Sequence, residues 1–160
     1  MNGPFTVERA ISTDRIDVLR VLDAAMLETD AEQVADRIDA GDVFVARFER
    51  TGAVVGALVA SRKDAGERSE GTLHVDAVAV RRARRGRGIG SALIETAIDR
   101  GRADPGIDRV TAAFDGSLGG FYADLGFEVE ADRVVEGDEP PANDRTRGVL
   151  PVGTGVEAER

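Results

Sequence analysis

The chain of 160 residues contains no cysteine and no tryptophan. The first absence excludes disulfides, thiolate catalysis and cysteine-based zinc sites. It has one histidine, His74, which argues against a histidine-rich metal centre, so no metal is expected. Aromatic residues make up 4% of the chain and include one tyrosine, Tyr122, leaving little for the aromatic stacking by which single-stranded nucleic acids are held. No apolar run is long enough to span a bilayer, and no membrane association is expected. The opening "MNGPFTVERA" lacks a basic stretch followed by an apolar one, the pattern of a secretory signal. Lysine is nearly absent: Lys63 is the only one, and the other basic residues are arginine. A cytoplasmic protein is the expectation.

Acid, in contrast, is plentiful. There are 30 Asp and Glu against 21 Lys and Arg, a net charge of −9. Many short carboxylates with almost no lysine resemble the composition of proteins adapted to a salt-rich cytoplasm. In such a medium a Debye length of about 3 Å at 1 M salt screens self-repulsion. A genome biased toward arginine codons would give a similar composition.

The length suits one domain with one sizeable core, placed here at residues 1–152, with a frayed tail at 153–160. "FTVERAI" reads as a strand. Ile16, Leu19, Leu22 and Met26 recur at helical spacing. A second helix is predicted to start at Asp30, with Gln33 completing a capping box, and to end at Gly41. "DVFVARFE" and "AVVGALVASR" read as strands joined at Thr51-Gly52, and "GTLHVDAVAV" as a third, Gly71 to Val80. A helix follows from about Gly88 to Gly101, then a strand at 108–114, a short helix at 117–125 and strands in "GFEVEADRVV" and "DRTRGVLPV", with "EGDEPPAND" a loop between them. The order β-α-α-β-β-β-α-β-α-β-β predicts an α/β domain, a mixed sheet covered by helices on both faces.

The densest signal is "VDAVAVRRARRGRGIGSALIETAIDR", Val75 to Arg100, with five arginines in seven residues and glycines at 86, 88 and 90. Glycines at a strand-to-helix junction allow tight turning and close approach of a ligand to the backbone. The helix start supplies unpaired N–H groups and a positive dipole end, and Arg85 and Arg87 supply charge, which together make a phosphate site. A P-loop requires a lysine that is missing here. The Gly-x-Gly-x-x-Gly fingerprint fails in both registers, because its third glycine would fall on Ser91 or Leu93. Arginine runs are commonly a solvated face, and Arg81, Arg82 and Arg84 fit that reading. A nucleic-acid patch is disfavoured, because the net charge of −9 becomes −14 once the five arginines from Arg81 to Arg87 are set aside.

The pattern Arg-x-x-Gly-x-Gly, Arg85 through Gly88 to Gly90, resembles the acetyl-CoA signature of the GNAT superfamily of N-acetyltransferases. "DGSLGGFYADLGFE" is similar to that family's Asn-x-x-Ala-x-x-Phe-Tyr-x-x-x-Gly-Phe segment, with Phe121, Tyr122, Gly126 and Phe127 in register. The element order matches from Phe5 to Val152. The resemblance implies a mostly antiparallel central sheet whose strands splay at an acetyl-CoA cleft between the strand ends at Val80 and Phe114. It implies acetyl transfer from acetyl-CoA, a co-substrate, to a primary amine by direct attack in a ternary complex. Backbone groups of Val78, Ala79 and Val80 would pair with the pantetheine arm. Arg85, Gly86, Arg87, Gly88, Ile89, Gly90 and Ser91 would hold the diphosphate. Tyr122 would be the general acid; a phenol near pKa 10 is protonated at neutral pH and can give its proton to a departing thiolate.

For the base, alternation along the strand puts His74, Asp76, Val78 and Val80 on one face. An ordinary imidazole titrates near neutrality, so His74 could take the proton directly or through water, Asp76 could act through water or bind a cationic substrate, and some members of the family use no dedicated base. The resemblance implies Asp115, which stands where the family has Asn, as a further co-substrate contact, though a carboxylate accepts but cannot donate; the family's Ala falls on Leu118. "MLETDAEQ", Met26 to Gln33, is expected near the acceptor, and its acidity suits a cationic amine. Family members are often dimers, so a homodimer is among the expectations. A non-catalytic acyl-CoA sensor is the alternative function.

Overall fold

The computed structural model describes residues 5–24, 30–64, 71–81, 88–115, 118–130 and 145–152. The elements are β1 (Phe5–Arg9), a 3-10 turn (Ser12–Asp14), α1 (Arg15–Ala24), α2 (Ala31–Ala40), β2 (Val43–Phe48), β3 (Val54–Asp64), β4 (Gly71–Val80), α3 (Ile89–Ala103), β5 (Ile107–Asp115), α4 (Gly119–Asp124), β6 (Glu128–Glu130) and β7 (Arg145–Pro151). Seven strands hydrogen-bond in the order β1-β2-β3-β4-β5-β7-β6. This is the mixed α/β architecture expected from the element order, with a mostly antiparallel sheet. The segments 136–144 and 153–160, expected as loop and tail, lie outside the described residues. Among the described residues no helix is long and apolar enough to cross a membrane.

The chain packs as two compact units, 1–61 with 75–100, and 62–74 with 101–160. In the first, β1 pairs antiparallel with β2, and β2 with β3. The β2–β3 turn uses Gly52 at φ 79°, whose N–H donates to the Phe48 carbonyl, as the Thr51-Gly52 signal predicted. Cross-strand partners share a face. Val43 opposite Val59 and Val45 opposite Ala57 join Val18, Val21 and Leu22 of α1 and Val34 and Ile38 of α2 in one buried cluster. The next pair, Ala46 opposite Gly56, points the other way, toward Ile89 and Leu93 of α3. Helices therefore cover both faces of this part of the sheet.

Two local expectations change. Of the α1 residues at helical spacing, Leu22 is buried and Leu19 packs against the core, but Ile16 is 57% exposed, and Val18 and Val21 complete the buried face. Met26 lies outside the described residues. Asp30 caps α2, but its Oδ1 accepts from the Glu32 N–H at 3.0 Å. Gly41 ends α2 at φ 83° as expected, and the Asp42 N–H reaches back to the Arg37 carbonyl, 3.0 Å.

In the second unit, β7 lies between β5 and β6 and pairs antiparallel with both. The regular β5–β7 register puts Val110, Ala112, Phe114, Gly148 and Leu150 on one face and Thr111 and Val149 on the other.

Candidate active site

Residues implied for the co-substrate begin at the end of β4. Between Ala46 opposite Gly56 and Arg47 opposite Val54 the β2–β3 register shifts, leaving Val55 as the extra residue of a bulge. The chain leaving β4 is tied there: the Arg81 N–H donates to the Val55 carbonyl at 2.8 Å, and Arg81 Nε to the Val54 carbonyl at 3.1 Å. The first arginine of the run thus clamps the strand end and is not merely a solvated charge. Val78 and Val80 are half-buried and Ala79 is buried.

Gly88 stands directly before α3 at φ 82°, a left-handed conformation that side chains resist, and a Cβ there would meet no described atom within 4 Å. Its carbonyl accepts the first helical bond, from the Ala92 N–H at 3.0 Å. Ile89, Gly90 and Ser91 form the first turn of α3, where α-helix geometry gives the amides no acceptor inside the helix. Ile89 is buried and anchors the turn, while Gly90 and Ser91 are half-buried. The close seat of α3 depends on Gly56: a Cβ there would lie 3.0 Å from Ile89 Cγ2 and 3.1 Å from Leu93 Cδ1. Sequence reasoning passed over Gly56, although a lone glycine in a valine-rich strand signals close approach. Arg85, Gly86 and Arg87 lie outside the described residues.

The candidate bases differ in their surroundings. Asp76 is exposed, and Ser61, 3% exposed on β3, donates Oγ–H to Asp76 Oδ1 at 3.2 Å. Ser61 was not foreseen; nothing local in "VASRK" marks it. His74 is half-buried, with Nδ1 2.6 Å from Oγ1 of Thr111, a residue 1% exposed on β5. Of the expected residues, Asp76, Val78, Ala79, Val80 and Gly88 to Ser91 fall in the first unit, and His74, Asp115 and Tyr122 in the second. Asp115 is the last residue of β5, paired with Arg145.

Tyr122 lies on α4 and is 5% exposed. Its ring stacks on Phe114 at 3.9 Å between centroids and 7° between planes, and meets Phe121 and Phe127 edge-on at 5.1 and 5.4 Å. The motif Tyr-x-x-x-Gly-Phe has a backbone cause. Gly126, at φ 104°, donates its N–H to the Ala123 carbonyl, and the Phe127 N–H reaches the Tyr122 carbonyl at 3.1 Å. These are the two bonds of a Schellman motif, with Phe127 packed on Tyr122 as its apolar contact. Phe121, expected in the core, is half-buried. Since Thr111 and Phe114 point to opposite faces of β5, His74 and Tyr122 meet β5 from opposite faces.

Among the described residues no group of three or more acidic or histidine side chains could hold a metal ion. The features are those of an α/β protein with a glycine-led helix start and a buried tyrosine held by aromatic rings. Residues 14–127 match the model of the Acetyltransferase (GNAT) family, and the chain belongs to that family. No curated protein matches it. Solved structures with the same fold include Arabidopsis thaliana Naa50 in complex with a bisubstrate analogue, CoA-Ac-MVNAL, at TM-score 0.71 and 17% identity over 91% of this chain and 96% of that one. A Drosophila melanogaster polyamine N-acetyltransferase that forms N-acetylagmatine aligns at TM-score 0.70 and 20% identity, over 92% and 100% of the two chains. A GNAT-family acetyltransferase from Streptococcus pneumoniae aligns at TM-score 0.72 and 17% identity, over 94% and 100%.

Proposed function

We propose that the protein transfers the acetyl group of acetyl-CoA to a primary amine, with Tyr122 as general acid. The observation that carries the reading is the junction of β4 and α3. A strand end pinned through Arg81, an open left-handed glycine and a helix first turn stand together in a chain of the acetyltransferase family. That junction suits a diphosphate: the backbone is bare at Gly88, and the amides of Ile89, Gly90 and Ser91 are donors without helical acceptors. Val78 to Val80 would face the pantetheine arm, with Arg85, Gly86 and Arg87 completing the anion site.

In the reaction the amine nitrogen bonds to the acetyl carbon, the carbon–sulfur bond breaks and its electron pair leaves on sulfur. Tyr122 gives its phenolic proton to that sulfur and regains one from solvent, while the amine loses one proton. Asp76 is the better-supported acceptor or guide for that proton, because it is exposed and held in place by Ser61. His74, with Nδ1 bonded to a buried threonine, has the surroundings of a structural residue.

The acceptor class is drawn from two kinds of amine. Proteins of the same fold include one bound to the bisubstrate analogue CoA-Ac-MVNAL and one that forms N-acetylagmatine. Thioester consumption assayed over peptides and agmatine, at low and molar salt, tests both. Activity highest at molar salt would support the reading of a salt-adapted protein.

Tyr122→Phe is expected to bind acetyl-CoA with unchanged affinity in calorimetry and to lose about 10²-fold in kcat, the usual scale for removing a general acid. Unchanged kcat in that variant refutes Tyr122 as the acid. Binding of acetyl-CoA with no turnover on any amine would instead mark a sensor. Asp76→Asn is expected to lower kcat/KM about tenfold or more for the best amine, and unaltered kinetics would leave the amine to arrive already deprotonated.

A further inference from the structure

Gly148 of β7 has no backbone reason to be glycine. The described glycines with positive φ are Gly41, Gly52, Gly88 and Gly126, and Gly148 is not among them. It sits inside a strand, paired with Ala112 of β5 on one side and Val129 of β6 on the other. At such a position glycine weakens the strand by about 0.5–1 kcal/mol relative to alanine. A packing reason has to outweigh that.

The packing is specific. A Cβ on Gly148 would lie 3.1 Å from Phe114 Cε2, 3.2 Å from Phe127 Cδ2 and 3.3 Å from Phe127 Cβ. These are two of the three rings that meet Tyr122, one stacked on it and one edge-on, with Phe121 the third. Neither can retreat freely. Phe114 stands in β5 with its backbone paired to Thr146, and Phe127 is fixed by the bond from its N–H to the Tyr122 carbonyl. The Gly148 backbone is held between two strands as well. A methyl group placed here would be accommodated by tilting the rings, and the tilt would pass to Tyr122.

We propose that Gly148 is a positioning residue: its bare Cα seats Phe114 and Phe127 so that their rings fix the Tyr122 ring for proton transfer. The inference rests on Tyr122 as the acid. Proton transfer depends on donor placement, and a misplacement of about 1 Å can cost about 10²-fold, so a few tenths of an ångström should cost about tenfold.

The test compares Gly148→Ala, Tyr122→Phe and the double variant. Because the chain has one tyrosine and no tryptophan, its near-ultraviolet tyrosine circular dichroism reports on Tyr122 alone. Gly148→Ala should change that signal in the ligand-free protein and lower kcat about tenfold. It should leave acetyl-CoA affinity and amine KM unchanged, and cause no further loss in the Tyr122→Phe background. Gly101→Ala is the control. A Cβ there would meet Val110 Cγ2 at 2.9 Å, a contact with no Tyr122 ring partner, so it should lower stability without lowering kcat.

Wild-type kcat in Gly148→Ala, with kcat lost in Tyr122→Phe, overturns the proposal and spares the acid reading. An equal loss in the Tyr122→Phe background also overturns it, since the effect would not act through Tyr122. Full kcat in Tyr122→Phe refutes the acid reading, and the positioning role with it. If Gly148→Ala does not fold, Phe114→Leu removes the stacked ring without adding a Cβ. It should give the same kcat loss and altered tyrosine signal, and wild-type values for both would refute the clamp.

Discussion

Arg47 shows how single residues hold this molecule together. Its Nε bonds Glu8 Oε2 at 2.7 Å and its Nη2 bonds Asp14 Oδ1 at 3.0 Å, while Asp14 Oδ2 accepts the Ile11 N–H at 3.0 Å. The guanidinium pKa is raised, first by the hydrogen bond to Glu8 and then by that to Asp14. A pKa raised in the folded state contributes stability that is fully present below the unfolded value. It is lost only as pH climbs through the folded one, in strongly alkaline solution. The contribution is therefore constant across the neutral range, and being half-exposed toward Glu8 it is weakened by salt. Asp14 is buried, and losing its partner is the larger effect. Arg47→Met is expected to cost about 1–3 kcal/mol in denaturant unfolding, with Glu8→Gln well below that. Equal losses for the two would mean that the surface pair, and not the buried carboxylate, matters. None of this was legible in sequence, because Glu8, Asp14 and Arg47 are three charges among many, and only the β1–β2 register and the placement of the 3-10 turn join them.

Elements were more legible where the backbone itself demands a residue type. The Asp30 cap follows from a carboxylate that accepts an unpaired N–H of the first turn, and the Gly41 and Gly52 turns from φ values that few other residues adopt at low cost. The segment "FYADLGF" carries a family motif, and the structure supplies its mechanics in the Schellman bonds at Gly126 and Phe127. Gly126→Ala, at φ 104° and with only ordinary contact to Leu150 at 3.4 Å, should lose about 1–2 kcal/mol from the left-handed conformation alone. Near-ultraviolet circular dichroism should show Tyr122 loosened, and an unchanged unfolding midpoint would contradict the assigned cap. In α1 the expected Leu19 and Leu22 pack on the core while Ile16 does not, because spacing alone leaves open whether Ile16 or Val18 begins the buried face until a partner surface chooses between them.

At the scale of the whole molecule, charge is the dominant fact. A net charge of −9 opposes compaction, and the described ion pairs of arginine with Asp42, Asp104, Glu8 and Asp14 absorb only a fraction of the acid. The unfolding midpoint is expected to rise as potassium chloride increases from low to molar concentration, since screening relieves self-repulsion over distances beyond about 3 Å. A midpoint that falls or stays level would favour codon bias over salt adaptation as the origin of the composition.

By itself the sequence determined the order of elements, the α/β class, the glycine-led helix start and Tyr122 as the candidate acid. Each is local, fixed by hydrophobic period, by the φ a glycine permits, or by a short motif. The tertiary structure decided what depends on residues distant in the chain: β7 between β5 and β6, the bulge at Val55 that receives Arg81, Ser61 holding Asp76, and Gly56 seating α3. Gly148 under the rings around Tyr122 belongs with these. Such contacts arise from packing geometry between strands and helices, and a linear pattern does not encode which surfaces will meet.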